Sequence, residues 1–186
     1  LFLSFLGVRA RRPQPVGHMV NTAISEVTFD GDRAVIERYN DALHTAPEGA
    51  WARSQFGAKD TIVTYIAWPR DVPFAIRDTE LAARALAGVS EVFTQGDGHT
   101  ETLGDTIADM IAAPRSTAPF RLEDAKEDGQ RFAVVASPET IHALSAAIVA
   151  PYADHPHLAR PTNGSITHVA RTHTLTLLAD YNIGPL

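Results

Sequence analysis

The sequence predicts an α/β fold, namely a three-layer α/β/α arrangement with a mostly parallel central sheet and a C-terminal β-hairpin. After residue 60, strand-like and helix-like segments alternate, which is the order that builds parallel sheets. Residues 132–136 are apolar without alternation, as expected of a central strand that is buried on both faces. Residues 166–178 alternate between apolar and polar side chains and read as a hairpin.

The first 44 residues predict the end of a helix followed by another hairpin. Residues 1–8 are apolar almost all round, as in a buried helix. Residues 22–29 alternate like a half-buried strand, and residues 33–39 alternate again. Between them, Asp30-Gly31-Asp32 is a turn sequence, because Asp and Gly tolerate the backbone angles of tight turns.

The part of the chain after a Pro- and Gly-containing linker supplies the central sheet and its helices. Ser137 and Pro138 form a typical helix start, with Ser as N-cap and Pro at the first helical position. The predicted segments, in chain order, are a linker (45–57), a strand (61–68), a helix (79–86), a strand (89–94), a helix (100–113), a polar loop (115–130), a strand (132–136) and a helix (141–149).

Composition and charge exclude several classes of protein. The 186 residues are 45% hydrophobic and 20% charged, as in ordinary globular domains. A net charge of -6 with scattered basic residues argues against a nucleic-acid partner, which needs a concentrated basic face. The absence of cysteine excludes disulfides and a cysteine nucleophile, and it fits a cytoplasmic protein. No apolar run reaches the length of a membrane span, so no membrane partner is expected.

The two predicted hairpins repeat each other. Residues 21–27 (Asn-Thr-Ala-Ile-Ser-Glu-Val) align with residues 163–169 (Asn-Gly-Ser-Ile-Thr-His-Val), and Tyr39-Asn40 aligns with Tyr181-Asn182. Every pair is separated by 142 positions (182 minus 40). A repeat at one fixed spacing suggests two related units in tandem. We therefore predict that residues 1–44 end a first unit, residues 45–57 form a linker, and residues 58–186 form a second unit.

Three motifs resemble the histidine phosphatase (phosphoglycerate mutase-like) superfamily. The ending Asn-x-Ser/Ala-Ile-Ser/Thr, hairpin, Tyr-Asn is similar to the C-terminal strand pair of that family. Residues 132–144 resemble its turn from strand to helix, Val-Val-Ser-His-Gly-Gly-x-Ile-Arg-Ala-Leu, and residues 77–111 resemble its first helix, second strand and second helix. The resemblance covers most of the chain and implies a phosphoryl-transfer fold.

The residues that carry out the chemistry in that family are replaced here. The stretch that matches the family's Arg-His-Gly is Tyr-Ile-Ala-Trp-Pro at residues 65–69, which has no histidine to accept a phosphoryl group. The family's second catalytic histidine falls on Ser137, and its arginine falls near His99. The segment that supplies the acidic proton donor is shortened to residues 112–130. Phosphoryl transfer needs an in-line nucleophile and cations, so we expect no catalytic residue here.

What remains is a candidate anion site and a role in assembly or regulation. Arg70, His99 and Ser137 are predicted to lie where parallel strands end at a helix N-terminus, which favours anions such as a phosphorylated small molecule. No metal or other cofactor is expected. An apolar helix at residues 1–8 needs a cover, which favours a homodimer or exchange of the N-terminal segment.

Two alternatives stay open on the sequence. In one, the chain is part of an active phosphomonoester hydrolase or phosphomutase whose catalytic half lies outside it. In the other, residues 32–43 are the opening helix of an NTF2-like small-ligand binding domain, because Val35, Ile36, Tyr39 and Leu43 also fit helical spacing.

Overall fold

The structure is a computed structural model, and it describes most of the two predicted units. The described residues are 16–17, 19–20, 22–44, 56–68, 82, 84–96, 98–125, 129–153 and 157–185. For residues 98, 99 and 185 the description covers the backbone alone. The helix end predicted for residues 1–8 and most of the predicted linker lie outside these ranges.

The described residues form a mixed α/β fold. Two helices, eight strands and one short 3₁₀ turn (Leu122–Asp124) are defined within them. Their bounds are β1 (Ile24–Asp30), β2 (Arg33–Asp41), β3 (Thr61–Ala67), β4 (Glu91–Gln95), α1 (Gly98–Ile111), β5 (Arg131–Ala136), α2 (Pro138–Val149), β6 (Ser165–Arg171), β7 (Thr176–Leu178) and β8 (Ile183–Pro185).

The larger sheet has six strands in the order β4-β5-β3-β6-β7, with β8 also paired to β6. β3 is parallel to β5, and β5 is parallel to β4. β6 is antiparallel to β3, β7 and β8, so β6 alone runs in the opposite direction. β1 and β2 form a separate antiparallel hairpin. The predicted alternation of strands and helices therefore produces a mixed sheet rather than a purely parallel one.

Two hydrophobic clusters cover β3, which is buried at every position. Val63 and Tyr65 belong to one cluster, together with Ile141 of α2. Ile66 belongs to the other cluster, together with Ile107 of α1. Because successive side chains of a strand point to opposite faces, α1 and α2 pack on different sides of the strand. This explains why β3 and β5 have nearly continuous apolar sequences.

The segment 115–130 differs from the polar loop that was predicted. Phe120 is buried in the main cluster, with its ring 5.0 Å from that of Phe93 and 5.8 Å from that of Phe132. Gln95 donates from Nε2 to the Phe120 carbonyl at 2.6 Å. A single aromatic side chain thus anchors the loop, although the polar composition around it predicts only a solvated connection.

The helix required by the NTF2-like alternative is not formed, so that interpretation was wrong. Residues 33–41 form β2, and residues 31–32 form the turn after β1. Strand alternation and helical spacing both fit this short apolar run. Pairing with β1 decides between them, since Asp30 faces Arg33 and Val27 faces Ile36 in a regular hairpin register.

Candidate functional site

The carboxyl ends of β3, β4 and β5 meet at one edge of the sheet, because the three strands are parallel neighbours. In open α/β sheets, ligands bind at this edge. Trp68 and Ser137 are the first residues after β3 and β5. The Trp68 backbone N–H donates to the Ala136 carbonyl at 2.8 Å and holds the two strand ends together. The predicted anion site belongs at this edge.

Ser137 caps α2, as predicted. Its Oγ accepts a hydrogen bond from the Thr140 backbone N–H at 3.2 Å and lies 3.0 Å from the Thr140 hydroxyl. Its backbone is extended, and Pro138 occupies the start of the helix. The hydroxyl therefore satisfies a helix N–H that has no partner within the helix. Among the described residues, the contacts of the Ser137 hydroxyl are those of a helix cap.

The N-terminus of α2 already carries a negative charge. Hydrogen bonding to its own backbone N–H lowers the pKa of Glu139, and the Ser137 hydroxyl and the nearby Arg160 act in the same direction. Arg160 forms an ion pair with Glu139, and both side chains are exposed. The carboxylate of Glu139 is stabilised by the helix dipole. An external anion that bound there would compete with it for the same interaction.

The three predicted anion-binding residues are placed to different degrees. Ser137 lies at the predicted edge. Residue 99 lies in the first turn of α1, but the position of the His99 side chain is outside the description. Arg70 lies outside the described residues. The grouping of Arg70, His99 and Ser137 around an anion stays a prediction.

Trp68 stands in the stretch that resembles the family's phosphoryl-accepting motif. Its side chain is buried in the same cluster as Leu86 and Ile66. An indole donates through a single N–H and cannot accept a phosphoryl group. The described end of β3 therefore carries a core residue where the resemblance expects a nucleophile.

A second feature lies where the two hairpins meet. Tyr39 and Tyr181 pair through reciprocal backbone hydrogen bonds of 3.0 and 3.1 Å. Val16 forms a parallel bridge with Leu178, and Ile36 forms a parallel bridge with Leu158. Each bridge is the counterpart of the other, because position 16 corresponds to 158 and position 36 to 178. The repeat between the hairpins therefore appears as a local twofold relation between residues 16–44 and 158–185.

Asn40 and Asn182 make the same hydrogen bonds on the two sides of this relation. The Nδ2 of Asn40 donates to the Ala179 carbonyl at 2.9 Å, and that of Asn182 donates to the Glu37 carbonyl at 2.6 Å. The Oδ1 of Asn40 accepts from the Val20 N–H at 2.7 Å, and that of Asn182 accepts from a backbone N–H at 2.8 Å. Both asparagines have positive φ, 60° and 53°, which Asn tolerates better than most residues.

No protein-family model, curated protein or solved structure matches this chain. No helix among the described residues is long and apolar enough to cross a membrane. In the same part of the chain, no three His, Cys, Asp or Glu residues are grouped as metal ligands. The resemblance to the histidine phosphatases therefore rests on the motifs of the sequence alone.

A buried pair of titratable side chains, His168 and Asp180, was not predicted from the sequence. His168 Nδ1 lies 2.7 Å from Asp180 Oδ2, and the His168 backbone N–H donates to Asp180 Oδ1 at 2.7 Å. His168 Nε2 lies 3.3 Å from the Ala85 carbonyl. The side chains of His168 and Asp180 are 0% and 3% exposed, which leaves no access for a substrate.

The geometry fixes the protons of this pair. A carbonyl only accepts, so His168 Nε2 donates to Ala85. A second proton lies between Nδ1 and the carboxyl group, because two bare acceptors at 2.7 Å would repel each other. Burial raises the pKa of Asp180, and the charge of His168 opposes that rise. Whichever atom holds the shared proton, the pair is neutral overall, which makes its burial tolerable. This arrangement supports the fold rather than catalysis.

The sequence carries a signal for the paired asparagines but none for the contact between His168 and Asp180. The repeated Tyr-Asn dipeptide marks Asn40 and Asn182, but it does not say that their amides cross between the hairpins. Nothing in the sequence links His168 to Asp180, since each lies in an apolar segment with no matching motif. Only the pairing of β6 with β7 brings Asp180, the second residue after β7, beside the middle of β6.

Proposed function

We propose that residues 58–186 form a non-catalytic, histidine phosphatase-like domain that serves in assembly. The observation that carries the proposal is the reciprocal hydrogen bonding of Asn40 and Asn182 across the two hairpins. It gives residues 16–44 a specific binding surface on the second unit. A shared surface of this kind is typical of a domain that holds another segment in place.

The residues at the carboxyl ends of β3 and β5 support the proposed absence of phosphate ester hydrolysis. Ser137 is engaged as a helix cap, and Trp68 is buried in the core. Phosphoryl transfer relies on an aligned nucleophile and on positive groups around the transferred oxygens. A serine hydroxyl does not titrate near neutral pH as an imidazole does. These residues support an inactive site.

The frame is consistent with the proposed family. Helices that pack against opposite faces of β3 favour the three-layer α/β/α arrangement. The division into residues 1–44, a linker at 45–57 and a second unit at 58–186 is part of the proposal, as is a cytoplasmic location. The proposal also includes a phosphorylated small molecule as a ligand of Arg70, His99 and Ser137. This ligand would compete with the Glu139 carboxylate for the N-terminus of α2.

Cutting the linker tests the assembly role. A protease site placed between residues 45 and 55 allows the full chain to be folded first and cleaved afterwards. The N-terminal fragment should stay bound through gel filtration under native conditions. In the variant Ile36→Asp it should separate, because Ile36 is fully buried and hydrogen-bonds to residues 157 and 159. Asp32→Lys, at the exposed turn, is the control and should retain the fragment.

Separation of the fragment from the unmutated, cleaved chain would contradict the assembly role. The second half of the proposal is tested with p-nitrophenyl phosphate. The chain should hydrolyse it no faster than a buffer blank, and a rate that Ser137→Ala or His99→Ala abolishes would overturn the inactive site.

A second candidate function is supported by the outer side of β1. Ile24 is 51% exposed, whereas its counterpart Ile166 is fully buried beside β3. An α/β unit that packed beside β1 would bury Ile24 in the same way. In this candidate, the chain is part of a phosphomonoester hydrolase or phosphomutase whose catalytic half lies outside it. Mass spectrometry of the native complex is the test, and a polypeptide segment with Arg-His-Gly is the required result.

A further inference from the structure

The surface that binds residues 16–44 is made by the C-terminal hairpin and the residues just before it. The Gly17 N–H donates to the Leu178 carbonyl, and the Ile36 N–H donates to the His157 carbonyl, both at 2.8 Å. In the reverse direction, the Ala159 N–H donates to the Ile36 carbonyl at 2.8 Å. Most of these contacts use backbone groups, so the surface selects a hairpin shape more than a particular sequence.

Residues 158–185 carry the same Tyr-Asn pair that residues 16–44 use on this surface, whereas Asp41, which accepts from the Gly184 N–H, corresponds to Ile183. Asn182 corresponds to Asn40, and Tyr181 corresponds to Tyr39. The tyrosines show the equivalence, since the Tyr39 hydroxyl donates to the Gly17 carbonyl and the Tyr181 hydroxyl donates to the Ala159 carbonyl, both at 2.5 Å. The C-terminal hairpin of one molecule therefore has the groups needed to bind the same hairpin of another.

A second molecule would also have to fit beside the first. In the twofold relation, its β3 would lie beside the outer side of β1, because β6 pairs with β3 and β1 is the counterpart of β6. Among the described residues, β1 pairs with β2 alone. Ile24 and Met19 are 51% and 49% exposed there. Nothing in the described part of the chain fills that space.

We infer that a second copy of this chain is an alternative partner of the C-terminal hairpin, which forms a twofold dimer when residues 16–44 are displaced. The inference rests on the proposed assembly role and names its partner. In the dimer, Asn182 of each molecule donates to the Ala179 carbonyl of the other, as Asn40 does within one molecule. The interface is isologous, as expected of a twofold dimer.

The tether normally favours the internal partner. A segment that is covalently tethered to its binding surface acts at an effective concentration on the order of millimolar. Residues 16–44 therefore outcompete a second molecule at ordinary protein concentrations. Weakening the internal contact without changing the C-terminal hairpin should release the surface and allow the dimer to form.

The matched variants Asn40→Asp and Asn182→Asp test this inference. Asp keeps the side-chain oxygen and tolerates positive φ, but it places a carboxylate against a carbonyl in place of the Nδ2 donor. Asn40→Asp weakens only the internal contact, so its dimer dissociation constant in sedimentation equilibrium should fall by about tenfold or more relative to the unmutated chain. Asn182→Asp weakens both contacts, and its dissociation constant should not fall.

Equal behaviour of the two variants would overturn the inference, whether both stay monomeric or both associate. A dimer formed by exchange of residues 16–44 contains both asparagine contacts, so it predicts that the two variants associate equally. Unequal association of the two variants therefore distinguishes the proposed dimer from segment exchange. If circular dichroism shows that Asn40→Asp is unfolded, the pair Gly17→Pro and Ala159→Pro replaces it, since each removes one N–H that crosses between the hairpins. A monomeric Asn40→Asp together with a retained N-terminal fragment after cleavage would reject the dimer and keep the assembly role.

Discussion

At the scale of single residues, Asp180 is the partner of two buried polar groups of His168. It accepts from the His168 backbone N–H and pairs with the His168 ring. Asp180→Ala leaves both groups buried without a partner. We expect this variant to lower the free energy of unfolding by about 3–5 kcal/mol, measured by urea denaturation.

The control for this prediction is Asp180→Asn. Its Oδ1 still accepts from the backbone N–H, and its Nδ2 can donate to a neutral His168 ring that keeps its proton on Nε2. Asp180→Asn should therefore be clearly more stable than Asp180→Ala. If both variants lose the same stability, the hydrogen bonds are not what Asp180 contributes.

Local chemistry at the residue scale was predictable, but long-range pairing was not. The cap formed by Ser137 follows from Ser-Pro before an apolar segment, and its partner lies only three residues away. The partner of His168 lies 12 residues away and depends on how β6 and β7 pair. Sequence spacing carries no signal for such a contact when both residues lie in apolar segments.

At the scale of elements, α2 depends on its first turn. Ser137→Ala removes the acceptor for the Thr140 N–H and should lower the free energy of unfolding by about 1 kcal/mol. Ser137→Asp keeps an acceptor and should restore most of that loss. The measurement is urea denaturation followed by far-ultraviolet circular dichroism. A loss that Ser137→Asp does not restore would show that the cap is not the cause.

The first turn of α2 also gives a pH dependence. The pKa of Glu139 in the folded chain lies below its ordinary value of 4.5, so its ionised form stabilises the fold above about pH 4.5. This contribution is lost as the pH falls through the folded pKa. The variant Glu139→Gln should be less stable than the unmutated chain at pH 7. The difference, measured by urea denaturation, should shrink as the pH is lowered below 4.5.

The companion variant for the pH dependence is Arg160→Gln. The main cause of the lowered pKa is the backbone N–H of Glu139 itself, and Arg160 contributes less. Arg160→Gln should therefore keep part of the pH dependence. A stability difference between Glu139→Gln and the unmutated chain that does not shrink as the pH falls below 4.5 would mean that the charge of Glu139 is not responsible.

Element boundaries were predicted well where the apolar pattern was long. The structure of a loop was predicted poorly where it depends on the packing of one side chain. β3, β5 and α2 begin and end close to their predicted positions, because each has an apolar pattern and a clear stop. The loop at 115–130 was predicted as polar, yet Phe120 packs with Phe93 and Phe132. One aromatic residue in a polar segment leaves no periodic signal.

At the scale of the whole molecule, the two hairpins share one core. Val16, Ile36 and Tyr39 belong to the same hydrophobic cluster as Tyr65 and Tyr181. The first hairpin therefore contributes to the interior of the second unit, in addition to pairing with its surface. The repeat in the sequence predicted that the hairpins are alike, but it could not predict that they bind each other.

The twofold relation also means that the first hairpin is synthesised long before the residues that it binds. The amide of Asn40 reaches a carbonyl that is 139 residues later in the chain, and the carbonyl of Glu37 waits for a side chain 145 residues later. At roughly 5–20 residues per second, a ribosome needs on the order of 10–30 s to complete that distance. During that time the first hairpin shows its apolar side to water. Exposed apolar surface of this kind makes an incomplete chain prone to aggregation until the last hairpin emerges.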